Sequence, residues 1–572
     1  MADFFRSMVS GFGGMLGLIE HKKLEIYAKH GVKTQEHNLK KLMRTNKNTE
    51  YGKKCNFKDV KSVKDYQDIV PLSTYDDYAD YIDRMVQGEK NLITTWHIGR
   101  YAESSGSVGK PKYIPQSARQ LWNCQCFSFS APVGCAVKYF RSKGKKLPPQ
   151  KGLLTIEITS HKLPCGKTVS CLSGIPLMYL KPIVPYISTS PKEVLFPKDP
   201  SKMNMHYLKM RYGLENRNVS YLSTIIVTVL ETMFRYLEEN WEMFVDDIEK
   251  GKIDPSIELP PELRAKLCGS LGVGLHALLK RMKPNAKRAA ELRREFEKGF
   301  DTPIAPRIWP KLGWAFGMGA SSLSIYSKRL RRYTGDLPMH NLGYGASEAL
   351  MAVPLSLDTD DCVMLPQNGF FEFLPVDAPE GTRPLTMNQL EPGKDYEVIV
   401  TNLSGLYRYR IEDVVRCTGY YYESPTVTFM YRLNQVVNIA GEKTSQQMLD
   451  WSVAKMAEEF GINVTGHSIY ADLSTSPGHY VLFVEPGEPV SSDKCEAMAK
   501  AFDKYLSDSN LFISDAKNTG TLGDTEMHFL RQGTYEEQRE ALKKRGANLN
   551  QIKPLRVIKE DKKDFFFSHI AE

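Results

Sequence analysis

The segment YAESSGSVGKPKYIP, residues 101–115, decides how the rest of the chain is read. Ser104, Ser105, Gly106, Ser107 and Gly109 place three hydroxyls and two glycines in six residues, with Lys110 and Lys112 just behind, between two runs able to form strands. Glycine lets the main chain approach an anion and aim several N–H groups at it; hydroxyls donate further bonds and lysine adds a compact positive charge. This is the composition of a phosphate-wrapping loop, and a plain Ser/Gly surface loop shares it. A Walker loop is excluded, because Pro111 follows Lys110 where that pattern needs Ser or Thr opening a helix.

Two later segments, GYGASE (residues 343–348) and GLYRYRIED (residues 405–413), complete a set of three. They stand in the order of the three nucleotide-contacting motifs of adenylate-forming enzymes. Within that superfamily the chain resembles the Gretchen Hagen family of acyl-acid amido synthetases, which in plants couple hormone acids such as auxin and jasmonate to amino acids. The resemblance continues through HYLKMRYGLENRN (206–218), RIWPKL (307–312), FFEFLP (370–375), PGHYVLF (477–483) and NLNQIKPLRV (548–557).

It implies an α/β fold: a large adenylate-forming N-terminal domain over residues 1–430, with mixed sheets, a β-rich part and helices. A smaller, mobile α+β C-terminal domain over residues 431–572 follows, joined by a hinge near residues 430–434. It also implies the chemistry of an ATP- and Mg²⁺-dependent ligase. A carboxylic acid attacks the α-phosphorus of ATP to give an acyl-adenylate and pyrophosphate, and the amino group of an amino acid then displaces AMP. Such a protein must neutralise phosphate charge, hold the nucleotide and align the attacking oxygen.

On this resemblance Ser104, Ser105, Gly106 and Ser107 cradle the β- and γ-phosphates. Ser107 stands where the family usually has threonine, and Val108 where it has Ser or Ala. Gly343, Tyr344, Gly345, Ala346, Ser347 and Glu348 sit by the α-phosphate, with Glu348 as the Mg²⁺ ligand. Asp413 accepts from the ribose hydroxyls and Phe370 lies against adenine. The catalytic roles fall to Glu348 and to Lys553, a point charge that reaches into the site during adenylation. Arg432 and Lys443 are hinge-side candidates. Each role has an ordinary alternative: a helix-start carboxylate for Glu348, a salt bridge to Arg408 or Arg410 for Asp413, core packing for Phe370, a surface lysine for Lys553. An acyl-CoA ligase and a non-catalytic descendant that binds acids or partners are the competing readings. His161, His340 and His479 accompany no Ser or Cys nucleophile motif, and no HExxH occurs.

Composition agrees with an ordinary multidomain globular protein: 572 residues, 42% hydrophobic and 25% charged. The 76 basic and 67 acidic residues leave +9, spread along the chain, which suits an anionic substrate such as ATP and gives no ground for a nucleic-acid partner. Ten cysteines without a CxxC pair point to free thiols in a reducing compartment, hence a cytoplasmic location. The apolar run MVSGFGGMLGLI (8–19) predicts a packed N-terminal helix rather than a signal peptide, and no later stretch is apolar enough to span a bilayer. Asn218 and Asn402 head formal glycosylation triplets inside or beside family-like segments, and are discounted.

Residues 20–81 read as helices, residues 153–158 and 176–186 as strands, and residues 219–247 as one long helix from their three-and-four apolar spacing. The charged segment 278–296 reads as a helix with a solvated face. Residues 315–322 read as a strand end turning into a helix, the kind of turn where open α/β sheets bind ligands. Residues 363–376 and 395–421 are rich in β-formers and predict antiparallel strands. The C-terminal part predicts a helix over 446–460, paired strands over 468–472 and 479–485, and a helix over 494–506.

Overall fold

The computed structural model describes residues 2–104, 112–156, 158–170, 172–174, 177–178, 181–268, 282–319, 324–433, 437, 439, 444–475, 477–518, 522–544 and 555–571. The chain gathers into two compact units: Met1–Ile411 with Val415–Thr428, and Glu412–Val414 with Phe429–Glu572. Both are mixtures of helix and sheet, so the architecture is α/β, with a larger N-terminal and a smaller C-terminal unit.

The larger unit contains a four-stranded parallel sheet. Its strands Gly152–Leu154, Tyr221–Ile226, Trp314–Met318 and Met339–His340 lie in that order. Alternate residues feed two different cores. Leu153, Leu222 and Ala315 join one formed with the helices Met205–Glu215, Val227–Lys250 and Ala286–Phe296. Leu154, Tyr221, Trp314 and Phe316 join the other, with Cys135 and Ala136 of the helix Ala131–Ser142. A sheet covered on both faces tolerates little charge, and Asp, Glu, Lys and Arg are absent from all four strands.

Two sequence expectations change here. Residues 219–247 are not one helix: YLSTII is a strand, and the helix begins at Val227. A short apolar run rich in β-branched residues satisfies either period, and burial between two layers selects the strand. The run 176–186 forms no strand among its described residues; its end enters the short helix Val184–Ile187, with Pro185 in the first turn, where a missing N–H costs nothing. In the charged segment 278–296, Arg293 reaches Glu249 on the surface as expected, but Arg288 is buried and donates to the carbonyls of Leu214 and Ile308.

An eight-stranded sheet carries the β-rich part, in the order Leu385–Thr386, Gly369–Pro375, Asp395–Asn402, Tyr409–Tyr421, Ser424–Arg432, Cys362–Met364, Leu350–Pro354 and Tyr344–Gly345. A smaller sheet pairs Ile98–Ser104 antiparallel with Lys112–Ser117, Ser104 opposite Lys112. The N-terminal helix Ala2–Lys29 crosses the helix Ala131–Ser142 where Gly17 meets Gly134. A Cβ on Gly17 would fall 2.5 Å from the Gly134 nitrogen, so the crossing requires glycine.

In the smaller unit the strands Glu526–Phe529, His479–Pro486, Val464–Asp472 and Val557–Ile558 form one sheet in that order. Tyr480, Leu482 and Val484 pack on one face with the helices Gln446–Phe460 and Cys495–Ser509, while Val481 and Phe483 pack on the other with Leu530 and Phe566. The predicted helices and strand pair of this part are present. Among the described residues no helix is long and apolar enough to cross a membrane.

Candidate active site

The parallel sheet delivers its last strand, Met339–His340, directly into GYGASE, so this motif follows the carboxyl edge of the sheet, where open α/β sheets bind ligands. Gly343 turns the chain with φ +98°, and a Cβ there would meet the Ala352 carbonyl at 2.4 Å. Tyr344–Gly345 then pairs antiparallel with Leu350–Pro354, and Ala346 N–H donates to Ala349 O at 2.9 Å. Ala346, Ser347, Glu348 and Ala349 therefore form a tight hairpin turn. The helix-start reading of Glu348 is thereby corrected: its carboxylate stands half-buried on a turn between two strands.

The turn is held from behind by buried amides. Gln116, at the end of the strand that follows the serine loop, donates from Nε2 to Ser347 O at 2.7 Å. Gln120, one helical turn on, donates from Nε2 to Glu348 O at 2.8 Å and to Gln116 Oε1 at 2.9 Å. Asn402 supplies a second donor to Glu348 O at 2.9 Å, while its Oδ1 accepts from the N–H groups of Ser404 and Leu406. Ser404 Oγ donates to Gln120 Oε1 and accepts from Ser117 N–H, both at 2.9 Å. Ser117 donates to Leu403 O at 2.7 Å and caps the helix Ala118–Gln125. All five side chains, of Gln116, Ser117, Gln120, Asn402 and Ser404, are buried. A satisfied polar network inside a low-dielectric core is geometrically demanding, so it fixes three segments distant in sequence against one another. Burial also removes Asn402 from any glycosylation reading.

Tyr75 closes the near side. Its hydroxyl accepts from Tyr113 N–H at 3.2 Å, and Lys112 Nζ stands 5.0 Å over its ring. Burial raises the Tyr75 phenol above its ordinary range, with smaller contributions from the charges of Asp83 and Glu348.

In GLYRYRIED the charged residues divide their partners. Arg408, held at φ +48°, forms a two-pronged pair with buried Glu372, both contacts 3.0 Å, and donates to the carbonyls of Gln67 and Val70. Arg410 pairs with Glu397 at 2.7 Å. Asp413, buried, takes Arg432 at 2.6 Å. This pair lies within the smaller unit, whose members include both residues. Phe370 turns inward: it is 1% exposed and meets Tyr66 edge-on at 5.8 Å. Its ring presents no open face to a base, and the core-packing alternative describes it.

The strands flanking the serine loop, GYGASE and the segment 402–406 are thus brought together. Ser104 ends its strand opposite Lys112; Ser105, Gly106, Ser107, Lys443 and Lys553 lie outside the described residues. The segment bearing Lys553 enters the smaller unit's sheet at Val557–Ile558. Just before it, Arg556 pairs with Asp450 at 3.1 Å, and Asp450 with His467 at 2.8 Å. Burial opposes the charged form of Asp450, and Arg556 with His467 nevertheless holds its carboxyl below the ordinary range. The sequence alone does not mark Gln116, Gln120, Asn402 and Ser404 as site residues. The one available signal was the i, i+4 pair of amides directly after the loop.

Comparison with known proteins gives the same assignment along the length of the chain. Residues 20–339 match the GH3 family N-terminal domain, 362–432 the GH3 family central domain, and 447–562 the GH3 family C-terminal domain. A probable indole-3-acetic acid-amido synthetase of Arabidopsis thaliana, GH3.1, is 29% identical over 92% of this chain and 88% of its own. The jasmonoyl–L-amino acid synthetase GH3.5 of Oryza sativa subsp. japonica is 26% identical over 94% of each. Among solved structures, GH3.15 acyl acid amido synthetase superposes with a TM-score of 0.83 at 25% identity, covering 96% of both chains. A 2-hydroxyisobutyryl-CoA ligase in its postadenylation state, 11% identical with a TM-score of 0.50, shares the fold over 96% of this chain and 90% of its own. The chain is a member of the GH3 family.

Proposed function

We propose that this protein is an ATP- and Mg²⁺-dependent acyl-acid amido synthetase, a ligase that activates a small carboxylic acid as its acyl-adenylate and passes the acyl group to the amino group of an amino acid. The observation that carries the reading is the buried amide network: it locks the serine-loop strand, the GYGASE turn and the segment opening GLYRYRIED onto one framework at the carboxyl edge of a parallel sheet. A scaffold protein has no physical need to hold a half-buried carboxylate on a tight turn with three donors aimed at the turn's carbonyls.

In this reading the serine loop receives the β- and γ-phosphates, Tyr344 and the turn lie by the α-phosphate, and Asp413 receives the ribose. Lys553 neutralises charge developing at phosphorus during adenylation. The smaller unit is the mobile one, so that one site serves two half-reactions in turn. Glu348 is the residue that would hold Mg²⁺. A single carboxylate suits this ion, which keeps waters and takes most other oxygens from the nucleotide's phosphates, and whose charge offsets theirs. A location in the reducing cytoplasm accords with the nine described cysteines, all free.

Relatives carry names that specify an indole acid, a jasmonoyl group or, for GH3.12 of Arabidopsis thaliana, 4-substituted benzoates with glutamate. These are the acid classes to offer first. The acceptor is tested by supplying ATP, Mg²⁺, a free carboxylic acid and either amino acids or CoA, and identifying the product by mass. An amide establishes the synthetase. A thioester would move the protein to the CoA-ligase reading.

A further inference from the structure

The N-terminal helix Ala2–Lys29 is apolar on two opposite sides, and only one is used by the fold. Gly14, Gly17, His21, Leu24 and Ala28, spaced three and four apart, form the buried side. Met8, Phe12, Met15 and Ile19, with the same spacing and about 200° around the helix, face solvent between 43% and 58% exposed, and the row continues through Lys22 to Ile26. From Ser7 to Ile19 the helix carries no charged residue. A solvent-facing stripe on a monomer would be expected to carry charge.

We infer that this stripe is a helix–helix seam for a second copy of the chain, with the two helices antiparallel about a two-fold axis between Phe12 and Met15. The spacing itself selects a helical partner: alternate steps of three and four average 3.5 residues, which keeps a seam against another helix. In an isologous pair, Phe12 meets Met15 and Met8 meets Ile19. The antiparallel sense follows from charge, since a parallel pair stacks Lys22 on Lys22 whereas the antiparallel pair holds the two lysines at opposite ends. Gly11 flanks the seam with nothing within 4 Å of where its Cβ would stand, leaving room for a close backbone approach.

The area suffices. Large apolar side chains present on the order of 200 Å² each. At half exposure these four, with the half-buried flanking Val9, Leu16 and Leu18, leave on the order of 500 Å² per copy, and the pair covers about 1,000 Å², the threshold of a specific interface. A lipid surface is the weaker match. An in-plane helix keeps free basic residues beside its apolar face. Here Lys23 pairs with Glu20 at 2.8 Å, and Lys22 and Lys29 pair with Glu25 at 3.0 and 2.8 Å.

The test is the mass of the full chain by sedimentation velocity from sub-micromolar to tens of micromolar, for the wild type, Phe12→Glu and Met15→Glu. Thermal melting of each variant confirms that it folds, and co-sedimentation with phosphatidylcholine–phosphatidylserine vesicles runs in parallel. The inference expects wild type to pass from 64.9 kDa to twice that mass, both variants to stay monomeric across the range, and none to follow the vesicles. A wild type that stays monomeric, a dimer that survives in both variants, or vesicle binding abolished by Phe12→Glu would each overturn it.

Discussion

The side-chain amide of Gln120 donates to the main-chain carbonyl of Glu348 at 2.8 Å, across 228 residues of sequence. This bond places the carboxylate of GYGASE relative to the strand that leaves the serine loop. Gln120→Leu removes it, and also leaves Gln116 Oε1 and Ser404 Oγ without a partner they have in the wild type. We expect a stability loss of about 1–3 kcal/mol, the cost of buried polar groups left unmade. Acid-dependent pyrophosphate release should fall further than fractional unfolding explains. Urea titration beside the activity assay checks this, and wild-type rates in a folded variant would detach the network from the site.

Glu348 itself is half-buried on a turn that other residues hold, so Glu348→Ala should fold normally. Its Mg²⁺-dependent adenylation should be abolished. The measurement is pyrophosphate release as a function of Mg²⁺, and near-wild-type activity would remove Glu348 from the metal site.

Arg408 and Glu372 form a buried pair, each supported by further hydrogen bonds. Removing one partner leaves the other charge stranded in the core. Glu372→Ala should therefore cost about 3–5 kcal/mol, read from denaturant midpoints. A loss below about 1 kcal/mol would mean that water reaches Arg408.

His340 ends the last parallel strand, buried, and burial holds its imidazole down at about 4. Between that value and the ordinary one near 6.5, the unfolded chain binds a proton that the folded chain does not. Stability should therefore fall as pH drops from about 6.5 towards 4, by about 1.4 kcal/mol per pH unit, and level off below. The difference between wild type and His340→Asn isolates this residue: their urea midpoints should converge as pH falls. A difference that is constant from pH 7.5 to 4.5 would contradict a neutral buried ring.

How much of this was legible in sequence follows from what each signal depends on. GYGASE and GLYRYRIED are local and their order is visible, and strands buried on both faces, such as HYVLFVEP, announce themselves by composition. Gln116, Gln120, Asn402 and Ser404 are common residues whose meaning comes only from long-range contact, so the linear chain does not mark them. The strand YLSTII merges in sequence with the helix that follows because six residues, four of them apolar, fit both periods. Phe370 looked available as a stacking ring because a sequence does not show which side of a strand faces the core. The N-terminal run 8–19 predicts a packed helix, and the helix does pack, but a stretch apolar on two sides gives no hint that one of them is left open.

Asp450, His467 and Arg556 anchor the strand that follows the Lys553 segment. Lys553→Ala should slow adenylate formation far more than it weakens ATP binding, measured by single-turnover kinetics beside nucleotide titration. An unchanged adenylation rate would take Lys553 out of the chemistry.

The central claim is that this chain makes acyl-adenylates for amide synthesis. It is tested most directly by pyrophosphate release from ATP and Mg²⁺ across a panel of indole, jasmonoyl-type and benzoate acids, each with and without amino acids. The account predicts release that depends on a particular acid and an amide product when the matching amino acid is present. Absence of both release and ATP binding across the panel would contradict it and leave a non-catalytic binding protein on the same fold.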